Sequence, residues 1–188
     1  NLTAGLMAAS WGASSAGFLA ATNANTTFGD YLASGAYQPR PSVTTLANAM
    51  DVGDPSNFER IHALFGREHA RIASAIRSAS ASDQDIASVL CGLSEHLKDK
   101  VCPHTAAGLH ALQALGFSGS DHATTAGHPL VTLATAHPAK FGEVIHQTCG
   151  REPRMPDRLA RVLDLPVRAH PIAVDPSALR RELDDLIG

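Results

Sequence analysis

Two apolar runs in this chain each end in small polar side chains, the residue types that often line cofactor pockets. Residues 17–22 lead directly into Asn23 and Asn25, and a later run ends in Thr135 and leads into His137. In an open α/β sheet such side chains lie outside the carboxyl ends of the strands and just before helix starts, which is where ligands bind. These two strand ends are therefore the candidate small-molecule sites, although most strand ends in such folds bind nothing.

Other kinds of chemistry find little support in the residue spacing. The chain has ten histidines, but their spacings match no zinc-ligand pattern and no paired cysteine motif accompanies them. A serine hydrolase is unsupported because no G-x-S-x-G elbow is present. We therefore predict neither a metal site nor a hydrolytic triad. The histidines considered as metal ligands are His104, His110, His122, His128 and His137.

Predicted helices and strands occur in both halves of the chain, and strands alternating with helices are typical of an α/β fold. Residues 150–171, rich in proline and arginine, are expected to wrap the surface before the terminal helix. The predicted elements, in chain order, are a helix over 3–11, a strand over 17–22, a helix capped by Asn25 or Thr26 that ends before Gly35, a helix from Asp54-Pro55, a helix over 83–97 capped by Ser82 with Asp85, a helix over 104–116, a strand over 130–135, a helix from Pro138 and a helix from Asp175-Pro176.

Composition excludes several kinds of partner. The net charge is -3, and no basic cluster with interleaved aromatic residues appears, so we expect no nucleic-acid partner. No apolar run approaches the ~20 residues needed to span a bilayer, so we expect no membrane partner. The three cysteines, Cys91, Cys102 and Cys149, are odd in number and lack C-x-x-C spacing. That usage suits a reducing cytoplasm better than a disulfide framework, and we expect a cytoplasmic protein.

Two segments carry a resemblance to a known family. Residues 42–60, which include Asn-Ala-Met-Asp, and residues 133–141, which include Ala-His-Pro-Ala-Lys-Phe, resemble signature sequences of the threonine synthases and occur in the family's order. The resemblance covers nearly the whole chain and is weakest over 62–100 and after 150. It implies a pyridoxal 5'-phosphate enzyme of fold type II, with helices around a mostly parallel sheet as in the tryptophan synthase β subunit. It also implies conversion of O-phospho-L-homoserine and water into L-threonine and phosphate.

The family resemblance assigns candidate cofactor contacts. Asn1, Leu2 and Thr3 are similar to the end of the family's phosphate-binding loop, where backbone N–H groups and the helix dipole hold the cofactor phosphate. Only the helix side of that loop is present in this sequence. Thr135 matches the position where fold-type-II enzymes place a hydroxyl against the pyridine nitrogen. A threonine at a strand end also bonds to nearby backbone in many proteins, and the surrounding motif favours the cofactor role.

The resemblance and the residue types together nominate substrate contacts. Asn48 and Asp51 could line the pocket for the amino-acid part of the substrate, or Asp51 could order the turn before the next helix. The same two interpretations remain open for Asn23 and Asn25.

Three further residues complete the substrate set. His104 lies in a segment that resembles the family's Pro-His sequence at a helix start, and histidine is the natural proton carrier near neutral pH. His137 and Lys140 lie in the 133–141 motif. Lys140 is one of three lysines, with Lys98 and Lys100, and its place in the first helical turn lets its charge attract the substrate phosphate or support the pocket. The resemblance implies that Lys140 is not the cofactor-binding lysine, which belongs to an upstream motif of the family.

The expected organisation follows from what the family pattern contains before this segment. We expect residues 1–149 to be the carboxyl-terminal part of a catalytic domain and residues 150–188 to be a surface tail with a terminal helix. The chain begins with Asn and not Met, so we expect that Asn1 is not the natural start. The resemblance implies a missing amino-terminal half, which would carry the cofactor-binding lysine. The 188 residues alone should then be inactive. The alternatives are another fold-type-II lyase, such as a serine/threonine dehydratase, or a non-catalytic fragment that acts as a binding module.

Overall fold

The computed structural model describes residues 1–117, 124–125, 128–169 and 171–187. The chain divides into two compact units, Asn1–Arg154 and Met155–Gly188. This boundary falls a few residues after the predicted one at 149, while the roles predicted for the two parts stay predictions.

A parallel pair of strands lies in the first unit. β1 (Phe18–Thr22) pairs with β2 (Ile76–Ser80) over its whole length, from Phe18 opposite Ile76 to Thr22 opposite Ser80. The predicted strand over 17–22 is confirmed by β1. β2 was not predicted, because Ile76 is its only large apolar residue, and the ladder to β1 compensates for the low strand propensity. Helices around a parallel pair confirm the α/β fold class.

The first core packs four helices against the parallel pair of strands. It buries the side chains of α1 (Leu2–Ser10), α2 (Thr27–Ser34), α3 (Phe58–Phe65) and α4 (His69–Ala75) around Tyr31. The Tyr31 ring meets the Phe58 ring edge-on, with 4.6 Å between centroids, a favourable aromatic geometry. The helix starts were predicted less well than the helices themselves.

The predicted helix start at Asp54 is wrong, because α3 begins at Phe58. The carboxylate of Asp54 accepts a 2.6 Å hydrogen bond from the Tyr37 hydroxyl and caps nothing. Thr26 does occupy the position before α2, but its hydroxyl donates to Asp30 and makes no capping bond to the backbone. Gly35 ends α2 in the left-handed conformation, as predicted.

The second core lies between α5 (Asp83–Cys91) and α6 (Pro103–Ala114). The predicted capping box of Ser82 and Asp85 is confirmed at the start of α5. The predicted helix over 83–97 is too long, since α5 ends at Cys91 and is followed by Gly92. Leu93 and Leu97 nevertheless pack against the same core from the turns that follow. Apolar residues of the segment 83–97 therefore share one core, although they do not lie on one continuous helix.

The predicted strand over 130–135 is wrong. None of these residues belongs to a strand, and Val131 and Leu133 are 76% and 56% exposed. They follow a two-residue ladder between β3 (Thr124–Thr125) and β4 (His128–Pro129). An apolar run becomes a buried strand only where a neighbouring strand accepts its backbone hydrogen bonds, and no described residue does so here.

A short 3₁₀ helix, Pro138–Phe141, leads into α7 (Gly142–Cys149). The predicted helix from Pro138 is therefore confirmed as two pieces. Cys149, at the end of α7, is bonded to Cys91, at the end of α5, with 5.3 Å between the Cα atoms. The expectation that the cysteines suit a reducing compartment better than disulfide bonding is therefore wrong for Cys91 and Cys149. Cys102 is a free, buried thiol. Sequence did not reveal the pair because its members are 58 residues apart and meet only when the two helices pack.

The second unit contains two helices. α8 (Asp157–Leu163) was not predicted, and it lies within the segment 150–171 that is expected to wrap the surface. α9 (Pro176–Ile187) confirms the predicted terminal helix. The Asp175 carboxylate accepts the Ala178 N–H at 2.9 Å, which is the capping bond expected of Asp before Pro.

Candidate functional site

Asn23, the residue after β1, lies completely buried beneath the loop of residues 42–53. Its Nδ2 donates to Thr45 Oγ1 at 2.7 Å, to Asp51 Oδ1 at 2.7 Å and to the Ala47 carbonyl at 3.2 Å. Its Oδ1 accepts from the backbone N–H of Asn25 at 2.9 Å. One strand-end amide therefore joins the sheet to the loop that carries the first family-like segment.

Asn25 binds the same loop through a backbone-like pair of hydrogen bonds. Its Nδ2 donates to the Val43 carbonyl at 2.8 Å, and its Oδ1 accepts from the Val43 N–H at 2.8 Å. The end of the loop is held by the Thr27 hydroxyl, which donates to the Gly53 carbonyl at 2.8 Å. Buried amides are costly unless they are paired in this way.

The Asp51 carboxylate cross-links the 42–53 loop by hydrogen bonds to Thr45. Its Oδ2 accepts from the Thr45 N–H at 3.0 Å, and its Oδ1 accepts from the Thr45 hydroxyl at 2.7 Å in addition to Asn23. These contacts engage both carboxylate oxygens. Of the two interpretations left open by sequence, they support ordering of the loop for Asp51, Asn23 and Asn25. The importance of Thr45 was missed, although its place in the 42–60 segment was a usable signal.

Beyond Asp51's network, the loop contains a 3₁₀ turn, Asn48–Met50, which exposes Asn48. Here the Ala49 N–H donates to Nε2 of His104 at 3.0 Å. The imidazole lies at the start of α6, with its centroid 4.9 Å from that of Phe141. Neither Ala49 nor Phe141 was singled out by sequence.

The electrostatic surroundings of His104 favour its neutral form. Burial lowers the pKa of His104 most; the Asp51 carboxylate raises this pKa and the Lys140 ammonium lowers it. Lys140 is exposed, and its ammonium forms no ion pair with a described carboxylate. The structure therefore brings Asp51, His104 and Lys140 into one electrostatic neighbourhood.

The remaining predicted residues lie elsewhere. His137 Nδ1 accepts the Ala139 N–H at 3.1 Å and so caps the 3₁₀ helix that carries Lys140. Thr135 is exposed in the irregular segment before it. Asn1 stands before α1, with Leu2 and Thr3 in its first turn, and the Asn1 side chain makes no capping bond. No described hydrogen bond or ring contact links Thr135 or residues 1–3 to the Asn23–His104 neighbourhood.

The described part of the chain contains neither a metal-ligand cluster nor a membrane-spanning helix. No group of three or more His, Cys, Asp or Glu side chains is arranged to hold a metal ion there. Among the same residues, no helix has the length and hydropathy that a membrane span requires.

Comparisons with solved structures show which class of enzyme has this fold. The threonine synthase from Escherichia coli superposes with a TM-score of 0.72 at 34% identity, over 98% of this chain and 41% of that one. Pyridoxal-phosphate-bound threonine synthase from Brucella melitensis gives a TM-score of 0.69 at 26% identity, over 86% and 38%. The chain thus has the α/β fold found in part of these enzymes.

The family follows from sequence. A family model described as "Threonine synthase, C-terminal" matches residues 105–182. The threonine synthase of Serratia marcescens is 36% identical over 185 residues, which are 97% of this chain and 40% of that protein. The chain belongs to the threonine synthase family and corresponds to its carboxyl-terminal portion. It spans about 40% of the length of the curated relatives it matches.

Proposed function

We propose that this chain forms the carboxyl-terminal part of a threonine synthase, which converts O-phospho-L-homoserine and water into L-threonine and phosphate. The carrying observation is similarity to threonine synthases along 97% of the chain. The meeting of the 42–60 loop, the His104 helix start and the Lys140 helix in one neighbourhood supports it.

Pyridoxal 5'-phosphate is the proposed cofactor, and two groups of this chain fit parts of it. At the start of α1, from Asn1 to Thr3, the backbone nitrogens have no intrahelical partner and no side-chain cap, and helix-terminal donors of this kind suit a phosphate. The exposed Thr135 hydroxyl has no partner among the described residues, so it is free to meet a ring nitrogen. When bound, the cofactor supplies the electron sink that makes the substrate's carbon-bound protons acidic.

The proposed substrate contacts have distinct tasks. Lys140, with its exposed ammonium, attracts the phosphate of O-phosphohomoserine, and His137 fixes the helix from which Lys140 projects. Asn48, exposed on its turn, lines the pocket for the amino-acid moiety. Asn23, Asn25 and Asp51 hold the loop that presents Asn48.

An amino-terminal half of the same enzyme is the proposed partner. Among the described residues the parallel sheet has two strands, each with an unpaired edge, whereas parallel sheets normally have several strands covered on both faces. Large apolar side chains are also exposed in the first unit, including Trp11 at 78% and Val131 at 76%. We propose further that the 188 residues by themselves are inactive, because the cofactor-binding lysine of the family belongs to an upstream motif.

The test compares two polypeptides, the 188 residues and the longest product of the gene. Intact mass is measured first, since a mass clearly above 19.7 kDa would reveal additional chain in the sample. Each form then receives O-phosphohomoserine, with serine and threonine as control substrates, and both phosphate and threonine are quantified. Threonine formation by the longer form only is expected. Threonine formation by the 188 residues alone would refute the inactivity proposal, and turnover of serine or threonine in preference to O-phosphohomoserine would favour the dehydratase.

The substrate-phosphate role of Lys140 has a matched control. Lys140→Met in the active form should raise KM for O-phosphohomoserine about tenfold, the low end expected for an exposed charge-assisted contact. Lys98→Met removes the same charge from a lysine that pairs with Glu95, and it should leave KM unchanged. Equal KM values for the two variants would show that Lys140 does not bind the substrate phosphate.

Cytoplasmic localisation stays a proposal that rests on cysteine usage. The Cys91–Cys149 bond points the other way, because disulfides are rare in a reducing compartment. Cell fractionation combined with thiol counting would decide between them.

A further inference from the structure

His104 lies where three family-like segments meet. Its own segment starts α6, its Nε2 accepts from Ala49 in the 42–60 loop, and its ring packs against Phe141 of the 133–141 motif. Ala49 and His104 are 55 residues apart in sequence. The His104 imidazole therefore connects the start of α6 to the Asn48–Met50 turn. No other described side chain makes a hydrogen bond between these two parts of the chain.

The hydrogen bond from Ala49 fixes the tautomer of this imidazole. A backbone N–H can only donate, so Nε2 must be the unprotonated nitrogen and the ring proton lies on Nδ1. Nδ1 is 3.8 Å from Sγ of Cys102, a weak acceptor that faces this proton. The ring is thus arranged as an acceptor on one side and a donor on the other, with no lone pair left for a substrate proton.

We propose that His104 is a positioning residue whose neutral Nε2 holds the Ala49 N–H and thereby fixes the turn that presents Asn48 to the substrate. This assignment deepens the proposed function and rests on it. It gives His104 a task other than the direct substrate contact suggested by sequence. Its effect reaches the substrate only through the backbone of the Asn48–Met50 turn.

Protonation must break this arrangement, because an N–H at Nε2 would then face the N–H of Ala49. The charged groups facing the ring are Asp51, which favours the cation, and Lys140, which opposes it; burial opposes it further and lowers the pKa of His104. An unfolded histidine titrates near 6.5. Below that pH the unfolded state binds the proton more readily than the folded state, so the stability from this contact is complete above about 6.5 and is lost as pH falls through the lowered pKa.

The experiment uses the longest natural form of the protein and three variants. His104→Gln places an amide oxygen at about the distance of Nε2 and can still accept from Ala49. His104→Asn has the same chemistry but is too short to reach, and His104→Leu removes the acceptor while keeping much of the bulk. Hydrogen exchange is measured at the Ala49 amide, and the ¹⁵N shifts of His104 are read for its tautomer.

The expected result is about fivefold to tenfold less protection of Ala49 in His104→Asn and His104→Leu, as for one lost hydrogen bond, with protection restored in His104→Gln. Wild-type protection should fall at acid pH, whereas that of His104→Gln should not. The tautomer should carry its proton on Nδ1. Protection that is equal in all four proteins, or a proton on Nε2, would overturn the proposal.

Kinetics separate this inference from the proposed function. With O-phosphohomoserine, His104→Asn should raise KM more than it lowers kcat, and His104→Gln should recover most of the loss. If no form makes threonine while Ala49 protection follows the expected order, the proposed function fails and the fixing of the turn stands. If threonine forms but kcat/KM is the same in His104→Asn and wild type, the positioning role in catalysis is refuted.

Discussion

The two predicted strand ends differ sharply in how the chain treats their polar side chains. After β1, Asn23 is completely buried and bonded to Thr45, Ala47 and Asp51. Before the 3₁₀ helix Pro138–Phe141, Thr135 is exposed, and no described residue makes a hydrogen bond with any part of 130–136. One region satisfies its polar groups within the described chain and the other leaves them open.

This difference separates residues that build a site from residues that meet a ligand. A buried amide with every polar atom paired has no capacity left for a substrate, so Asn23 supports the site through the loop. An exposed hydroxyl without a partner keeps that capacity, which agrees with the cofactor contact proposed for Thr135. The comparison can be tested through stability, because only the first region should be costly to disturb.

The largest effect is expected from Asn23→Ala. The substitution leaves the Thr45 hydroxyl, the Asp51 carboxylate and the Asn25 N–H short of a partner, and it opens a small cavity. At roughly 1–3 kcal/mol for each unsatisfied buried group, with partial relaxation, we expect a loss of about 4 kcal/mol. Chemical denaturation followed by circular dichroism measures it.

Thr135→Val is the matched control for that prediction. It also removes a strand-end polar group, but from an exposed site, and it should change the free energy of unfolding by less than about 0.5 kcal/mol. Similar losses for both variants would show that the two regions are equally well anchored, contrary to the comparison.

Sequence predicted the first region well because its information is local. The alternation from apolar run to Asn, and then to a helix with a glycine stop, located β1 and α2 to within a residue or two. The loop residues that Asn23 contacts lie 22 to 28 positions away. Their pairing depends on how the loop folds back over the strand, so the pocket and loop-ordering interpretations could not be separated beforehand.

Sequence failed where an element depends on distant partners. Residues 130–135 have strand propensity but no neighbouring strand among the described residues, while β2 has poor propensity and becomes a strand through β1. Asp54 would suit a helix cap, yet the Tyr37 hydroxyl takes its carboxylate. In each case the presence or absence of a tertiary partner outweighs a local preference of about 1 kcal/mol or less.

The next largest effect should come from opening the Cys91–Cys149 bond. α7 follows residues 130–136 and the 3₁₀ helix in sequence, and this bond ties the end of α7 to α5 of the second core. Because the cysteines are 58 positions apart in sequence, loop entropy and typical measurements suggest a loss of about 3 kcal/mol on reduction. Denaturation with and without a dithiol measures it; Cys91→Ser/Cys149→Ser should match the reduced protein and be insensitive to the dithiol.

Gly53→Ala tests how rigidly the loop of the first region is held. A Cβ at Gly53 would lie 1.9 Å from the Arg40 carbonyl oxygen, a backbone atom that cannot rotate away. Arg40 N–H also donates to the Gly53 carbonyl, so the collision would strain a paired segment. We expect a loss of about 2 kcal/mol, as for an overpacked site. An unchanged free energy of unfolding would mean that this loop yields easily.

Gly108→Ala asks the same question of the second region and should have the smallest effect. Gly108 lies inside α6, where alanine is favoured by up to about 1 kcal/mol, and its new Cβ would come 3.1 Å from Cγ2 of Thr132. If residues 130–135 are held as loosely as their exposure indicates, Thr132 shifts by a few tenths of an ångström and the protein gains about 0.5 kcal/mol. A loss would show that the segment is held firmly. The double variant Gly108→Ala/Thr132→Ser, which lacks Cγ2, then identifies the cause. If the loss in free energy of unfolding disappears in the double variant, the contact with Thr132 causes it, which would require residues 130–135 to be held rigidly.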